Sequence, residues 1–355
     1  MLTAAAVKER ALALGFDLCG IAPVDAHPEL AFLAEWLERG YAGDMDWMRT
    51  SAENRADVRA IVPGARSVIV TGTVYSVAER DDTGPPVGNP QPGEARGIVA
   101  RYARGADYHD VLRRRINALL AWMQAESEEP FEARAFVDSG PVQERVYAQY
   151  AGLGWIGKNA CLINPDLGSW LFLSEIICTL ALEPDTQGLE QCGSCTRCLE
   201  ACPTGALVEP GVLDSNRCLS YLTIETDGGI PEPYREALGA RIYGCDICQD
   251  VCPYNQPPPV SSDPAWQARR TFDLPRLVDL WRLPDADLRA LTRGTAITRA
   301  GVTGLRRSLA VAIGNSGDPE AVAALVVPDP DKPSVDDPIV QEHIDWALTR
   351  NAKLP

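Results

Sequence analysis

The residues best suited to chemistry in this chain are its cysteines. Eleven occur, an odd number, and eight of them fall between Cys192 and Cys252. The N-terminal residues show no secretion signal, so a disulfide framework is disfavoured and bound metal is the better reading. Cys192, Cys195, Cys198 and Cys202, followed by Pro203, spell C-x2-C-x2-C-x3-C-P. In this bacterial ferredoxin pattern three thiolates face one iron–sulfur cluster and the fourth serves another. Cys202 therefore needs partners elsewhere, and Cys218, Cys245, Cys248 and Cys252 are available downstream. Using each thiolate once assigns Cys192, Cys195, Cys198 and Cys252 to one 4Fe-4S cluster, and Cys202, Cys218, Cys245 and Cys248 to a second. Two zinc sites are the alternative, but zinc usually pairs two C-x2-C knuckles or adds histidine. His27, His109 and His343 all lie outside this region. Cys19, Cys161 and Cys178 have small or apolar neighbours and read as core residues without chemistry.

Two further features draw attention. Asp138 follows the strand-like ARAFV and precedes Ser139, Gly140 and Pro141. The carboxyl end of a strand is a common place for a ligand site, and a carboxyl group there can serve as an acid; a helix N-cap or turn residue is the competing reading. Gly152, Gly154 and Gly157 spell G-x-G-x-x-G, and with Lys158 also G-x4-G-K. A nucleotide site needs a strand before those glycines, whereas PVQERVYAQYAGLG has helical spacing. A helix-ending glycine turn is the expectation, with Lys158 either an isolated cation of interest or a solvated surface lysine.

These residues need a scaffold, and 355 residues allow two or three domains. Helices are expected near 2–14, 29–39 and 108–124, and strands at 67–75 and 134–137, giving an α/β or α+β layered domain over residues 1–182. Residues 81–97 are rich in Pro and Gly and read as a loop within it. A two-cluster unit follows over 183–257, then a Pro-rich linker and a helical tail over 258–355, with helix starts at Asp318-Pro319 and Asp337-Pro338. The longest apolar stretch, 170–182, is interrupted by Ser174 and Glu175 and is too short for a membrane helix. With no targeting signal, the cytoplasm is the expected location. The net charge of −16 disfavours nucleic-acid binding over the whole surface. Between 265 and 310, however, nine arginines stand against four aspartates. That excess is either a patch for nucleic-acid phosphates or a helix face made soluble by arginine. Arg101, Arg104 and Arg113 to Arg115 are candidates for a second patch.

Several segments together resemble the epoxyqueuosine reductase family: RGADYHDVL, VDSGPVQER, GLGWIGKNACLI, CGSCTRCLEACPTGAL, CLSYLTIE and YGCDICQDVCP, in the family's order over most of residues 50–255. The resemblance implies an α+β protein with an N-terminal cobalamin-binding domain, a ferredoxin-like domain with two 4Fe-4S clusters, and a HEAT-like helical tail. It implies a substrate, tRNA carrying epoxyqueuosine, whose epoxide is reduced to the alkene of queuosine. Electrons would pass from an external low-potential donor through the clusters to cobalt. Asp138 matches the family's proton donor, and could carry a proton only if burial raised its pKa. By the same match Arg55, Ala100, Asp138, Leu162, Leu173, Ser220 and Asp246 would surround the cobalamin. His109 is assigned a structural role, and a monomer is expected. A corrinoid reductive dehalogenase or small-molecule reductase is the alternative, and a plain electron-transfer ferredoxin with an accessory domain a third reading.

Overall fold

The structure is a computed structural model and describes residues 2–78 and 94–352. Most of the expected loop at 81–97, residues 81–93, lies outside the described residues. The first half is built on a four-stranded sheet of β1 (Leu18–Pro23), β2 (Ser67–Val74), β3 (Ala133–Phe136) and β4 (Leu171–Cys178), in the order β1-β2-β4-β3. Every pairing in it is antiparallel. Its residues alternate between two faces, as the two-residue period of a strand requires. Ile69, Phe172 and Ile176 pack on α1 (Ala4–Ala13) and α3 (Tyr108–Glu126) on one side. Val68, Val70 and Ile177 pack against α2 (Pro28–Glu38) and α4 (Glu144–Tyr150) on the other. The result is a helix–sheet–helix sandwich of the α+β class.

Helix α3 follows from its pattern. Val111, Leu112, Ile116, Leu119 and Met123 recur on one face and are buried, and Asp107 caps the N-terminus by accepting from the His109 amide. That cap places Tyr108 and His109 in the first turn, beside the end of β3.

The tail does not stand apart from the rest. Its main helices, α6 (Gly301–Ser316) and α7 (Pro338–Asn351), follow α5 (Leu219–Ile224) of the cysteine-rich segment. They share one apolar core with Ala95, Val99, Ile242 and Tyr243. Helices α6 and α7 approach so closely at Gly314 that an added Cβ would lie 2.6 Å from the Ala347 Cβ. Asp318 and Asp337 cap their helices as the sequence leads one to expect.

One expectation about this tail is corrected. Arg306 and Arg307 were counted in the basic patch, yet they are 0% and 3% exposed. The Arg306 guanidinium reaches the carbonyls of Trp281 and Leu283 and pairs with Asp285 at 3.1 Å, while Arg307 donates to the carbonyls of Leu222, Thr226 and Gly228. Both satisfy backbone carbonyls at the ends of helices and turns inside the protein and are closed to a phosphate. Truncating one partner of such an internal pair leaves the other charge unpaired, so Arg306→Ala should lower stability by about 3–5 kcal/mol. Urea unfolding followed by circular dichroism measures this directly.

Candidate active site

Two residues past β3 the backbone at Asp138 turns left-handed, with φ of 54°. Aspartate tolerates this better than most residues, but it still costs energy that the surroundings must supply. They do so from several elements. The Asp138 amide donates to Glu144 Oε1 of α4 at 2.7 Å, and Asp138 Oδ2 accepts from both the Tyr108 hydroxyl and His109 Nε2, the latter at 3.1 Å. Arg55 holds the following residues, donating from Nη1 to the Val142 carbonyl at 3.1 Å and from Nη2 to the Gly140 carbonyl at 3.2 Å. Trp47 lies over the Arg55 guanidinium at 5.1 Å.

The electrostatics set where the protons reside. The deep setting of Asp138 raises its pKa, but the bonds from His109 and Tyr108 outweigh this and hold it below the usual carboxylate range. The condition under which Asp138 would keep its own proton, a pKa raised by burial, is not met in this arrangement. His109 shows the opposite balance: burial pulls it down, yet Asp107, 2.8 Å from Nδ1, and Asp138 together push it up to about 9. The proton at neutral pH is on His109, which sequence reasoning had left structural. The DYHD spacing, with acids flanking a histidine, was the available signal. Behind them lies a second carboxyl pair. Burial and the charge of Asp138 raise Glu144 to about 7, and burial with Glu144 raises Glu175 well above its ordinary value.

Asp138 is open to solvent, its side chain 55% exposed. Arg55 reaches the loop that follows it at Gly140, Leu173 packs on the core beneath α4, and Leu162 is paired across from Ile156 near the Ala160 turn. Ala100 and Asp246 lie together, where the Arg101 amide donates to Asp246 Oδ2 at 2.8 Å and the Gly244 backbone leaves room for the Ala100 methyl. Ser220 lies with Cys218, whose thiol accepts from its amide. Cys161, assigned no chemistry from the sequence, contacts the Cys248 thiol and feels the charges of Arg145 and Asp246. Glu175 faces Glu144, and the two buried carboxyls share a hydrogen bond, while Asn159 Nδ2 is buried without a hydrogen-bond partner. A buried donor left open suits a polar occupant, and a corrin ring with its amide tails has that chemistry.

The eight clustered cysteines lie within reach of one another's charge, and Cys161 lies near Cys252, Cys218 and Cys248 among them. Cys252 lies close to Cys192 and Cys195, and Cys198 to Cys192 and Cys252. Cys218 lies close to Cys202, Cys245 to Cys218, and Cys248 to Cys245 and Cys218. Burial, with a smaller push from the neighbouring thiolates, raises Cys198, Cys218, Cys245 and Cys252. Among the described residues no three such side chains converge on a single ion. A cluster asks for no such convergence, since each thiolate binds its own iron.

Comparison with known proteins agrees with this geometry. Residues 191–255 match the 4Fe-4S double cluster binding domain, and residues 55–139 match the epoxyqueuosine reductase QueG family. The chain is 42% identical to the epoxyqueuosine reductase of Xanthomonas campestris over 98% of this chain and 97% of that protein. The chain belongs to the epoxyqueuosine reductase family. A member from Escherichia coli K12 is 37% identical over 97% of this chain and 88% of its own length. The fold matches a crystal structure of epoxyqueuosine reductase with an epoxyqueuosine-modified tRNA-Tyr stem loop, with a TM-score of 0.86 at 30% identity over 97% of this chain and 89% of that one. It also matches the Bacillus subtilis family member, solved with its aspartate catalytic loop swung out of the active site, at a TM-score of 0.85 and 29% identity over 97% and 89% of the two chains.

The cysteine sets make a prediction that separates them. Cys198→Ala and Cys252→Ala should abolish the same electron paramagnetic resonance signal, and Cys202→Ala and Cys245→Ala the other. Any other pattern of losses would show that the ligands are differently shared.

Proposed function

We propose that this chain reduces the epoxide of epoxyqueuosine in a tRNA anticodon loop to the alkene of queuosine. The observation that carries the reading is the solvent-open Asp138 carboxylate, held in left-handed backbone with its Oδ2 bonded by Tyr108 and His109. Loss of the epoxide oxygen as water takes two electrons and two protons. When bound, cobalamin supplies a strongly nucleophilic metal centre, and the two 4Fe-4S clusters supply its electrons one at a time. Arg55, Ala100, Asp138, Leu162, Leu173, Ser220 and Asp246 border the space it would occupy.

The residues of the chain handle the protons. His109 holds one at Nε2, against Asp138 Oδ2. Asp138 passes that proton to the epoxide oxygen; His109 then regains one from solvent, and the second reaches the oxygen by the same route, so a carboxylate that rests ionised serves as donor in each transfer. Tyr108, stacked on Phe172 with rings 8° from parallel, fixes the carboxylate through its hydroxyl.

The division into a cobalamin-binding domain over 1–182, a two-cluster domain over 183–257 and a HEAT-like tail over 258–355 belongs to the same reading, as does a cytoplasmic monomer taking electrons from an external low-potential donor. Among the described residues no helix is long and apolar enough to cross a membrane. For tRNA, the arginines at the surface matter. Arg270 and Arg293 are exposed, and the turn carrying Arg293 is tied to the active site, because the Gly294 carbonyl accepts from the Asp107 amide. Phosphates held there would bring a splayed anticodon base over Asp138.

Single-turnover conversion of tRNA-borne epoxyqueuosine by the anaerobic holoprotein, read by nucleoside mass, tests the reaction. Loss of one oxygen supports it, and intact epoxyqueuosine with both clusters and cobalamin bound refutes it. Asp138→Ala should keep clusters and corrin but lose turnover. The wild-type rate should hold through neutral pH and fall above about pH 9, where His109 loses its proton. His109→Gln should lower the rate by about 10²–10⁴-fold and remove that alkaline limb. Arg270→Ala with Arg293→Ala should weaken tRNA binding and flatten its logarithmic salt dependence by roughly 1–2; an unchanged slope would exclude these two from phosphate contact.

A further inference from the structure

The glycine turn at 152–158 fits no nucleotide site, and the structure gives it a different neighbour. Helix α4 ends at Tyr150, and Gly152 and Gly154, with φ of 74° and 156°, turn the chain into the short strand Trp155–Ile156. A Cβ on Gly154 would lie 2.0 Å from the Ile163 carbonyl oxygen, so the turn closes only with glycine there. The closed turn delivers two donors to the loop that carries the first three cysteines. Trp155 Nε1 donates to Cys192 Sγ at 3.4 Å, and Lys158 Nζ donates to the carbonyls of Gly193 at 2.6 Å and Cys195 at 3.1 Å.

The surroundings make both contacts effective. Trp155 is 1% exposed and packs with Ile163, Cys252, Cys192 and Tyr254. Tyr254 meets the indole edge-on at 4.9 Å and donates through its hydroxyl to the Gln191 carbonyl. An N–H bond to a thiolate and a cation beside it weigh more in such a poorly solvated place than in water. This cysteine set is also the outer one. Leu189 is 77% exposed and Gln191, Gly193, Ser194, Thr196 and Arg197 are at the surface, whereas Cys248 of the other set contacts Cys161 inside.

We propose that Trp155 and Lys158 are positioning residues that raise the reduction potential of the outer cluster and make it the port at which electrons enter. Reduction adds one electron to the cluster and takes one from the external donor, with no bond or proton exchanged. The added negative charge spreads onto the thiolates, so a hydrogen bond to Cys192 Sγ and a cation at its loop stabilise the reduced state over the oxidised one. The inference rests on the two-cluster reading given above. It goes beyond it in assigning to the G-x-G-x-x-G-K turn, which belongs to the sheet domain, control of a cluster held by a different segment.

The test is an anaerobic redox titration of the full chain with both clusters in place, dithionite as reductant, followed by electron paramagnetic resonance. Trp155→Phe keeps the ring and removes the N–H, and Lys158→Gln removes the charge. Each should shift the midpoint of one cluster to lower potential and leave the other where it is, and Lys158→Arg should restore the wild-type value. Unmoved midpoints in Lys158→Gln, or equal shifts of both clusters, would overturn the proposal. Should Trp155→Phe fail to hold a full iron content, the Lys158 pair of variants decides alone. A wild-type protein lacking two distinct cluster signals would instead refute the cluster reading itself, so the two failures are distinct.

Discussion

A single carboxylate in an unfavourable backbone conformation organises this molecule. Asp138 could relax into an extended conformation and swing away, and its placement persists because separate elements oppose that movement. Helix α3 offers Tyr108 and His109, α4 offers Glu144, and Arg55 reaches the carbonyls of Gly140 and Val142 from the far side. The sheet is the common base: β3 ends two residues before Asp138, and its neighbour β4 carries Glu175 and Phe172 to either face. Strain of this kind is stored where the surrounding structure over-determines it. Here the determinants come from both helical layers, so the carboxylate reports on the integrity of the whole sandwich.

Much of this arrangement was legible in the residues, and the reasons differ by element. The double-cluster segment was readable because iron–sulfur ligation demands a fixed spacing, and that demand is local in sequence. Helix α3 was readable from its 3.6-residue period, and the late helices from Asp-Pro starts. The antiparallel order of the sheet was not, because β1 and β2 are adjacent in space yet separated by 43 residues of helix and turn, and strand direction leaves no mark on strand composition. Arg306 and Arg307 show the limit of counting charge. In sequence they are indistinguishable from Arg293, and only the carbonyls left open by the ends of neighbouring segments explain why two arginines are internal and another is not.

The same limit explains His109 and Lys158. A histidine after an aspartate reads as a capped helix turn, which it is; its second role arises from Asp138, 29 residues later. Lys158 looks like a surface cation until the cysteine loop 35 residues on is folded against it. In both cases one partner is supplied by a distant segment, and single-sequence reasoning weighs neighbours along the chain more readily than neighbours across it. The buried Asn159 Nδ2, left without a partner inside the protein, belongs to a third class: its meaning depends on an occupant rather than on the chain.

The shared core of the tail bears on how the protein is made. Tyr243, two residues before a cluster cysteine, is buried among residues that include Leu305, Leu309, Val340 and Ile344, and its hydroxyl bonds to the Ala296 carbonyl. On a ribosome this part of the core stays incomplete until α6 and α7, which follow it in the chain, have emerged. The cysteine-rich segment therefore leaves the ribosome before the helices that complete its core, and its packing is finished only by residues made after it.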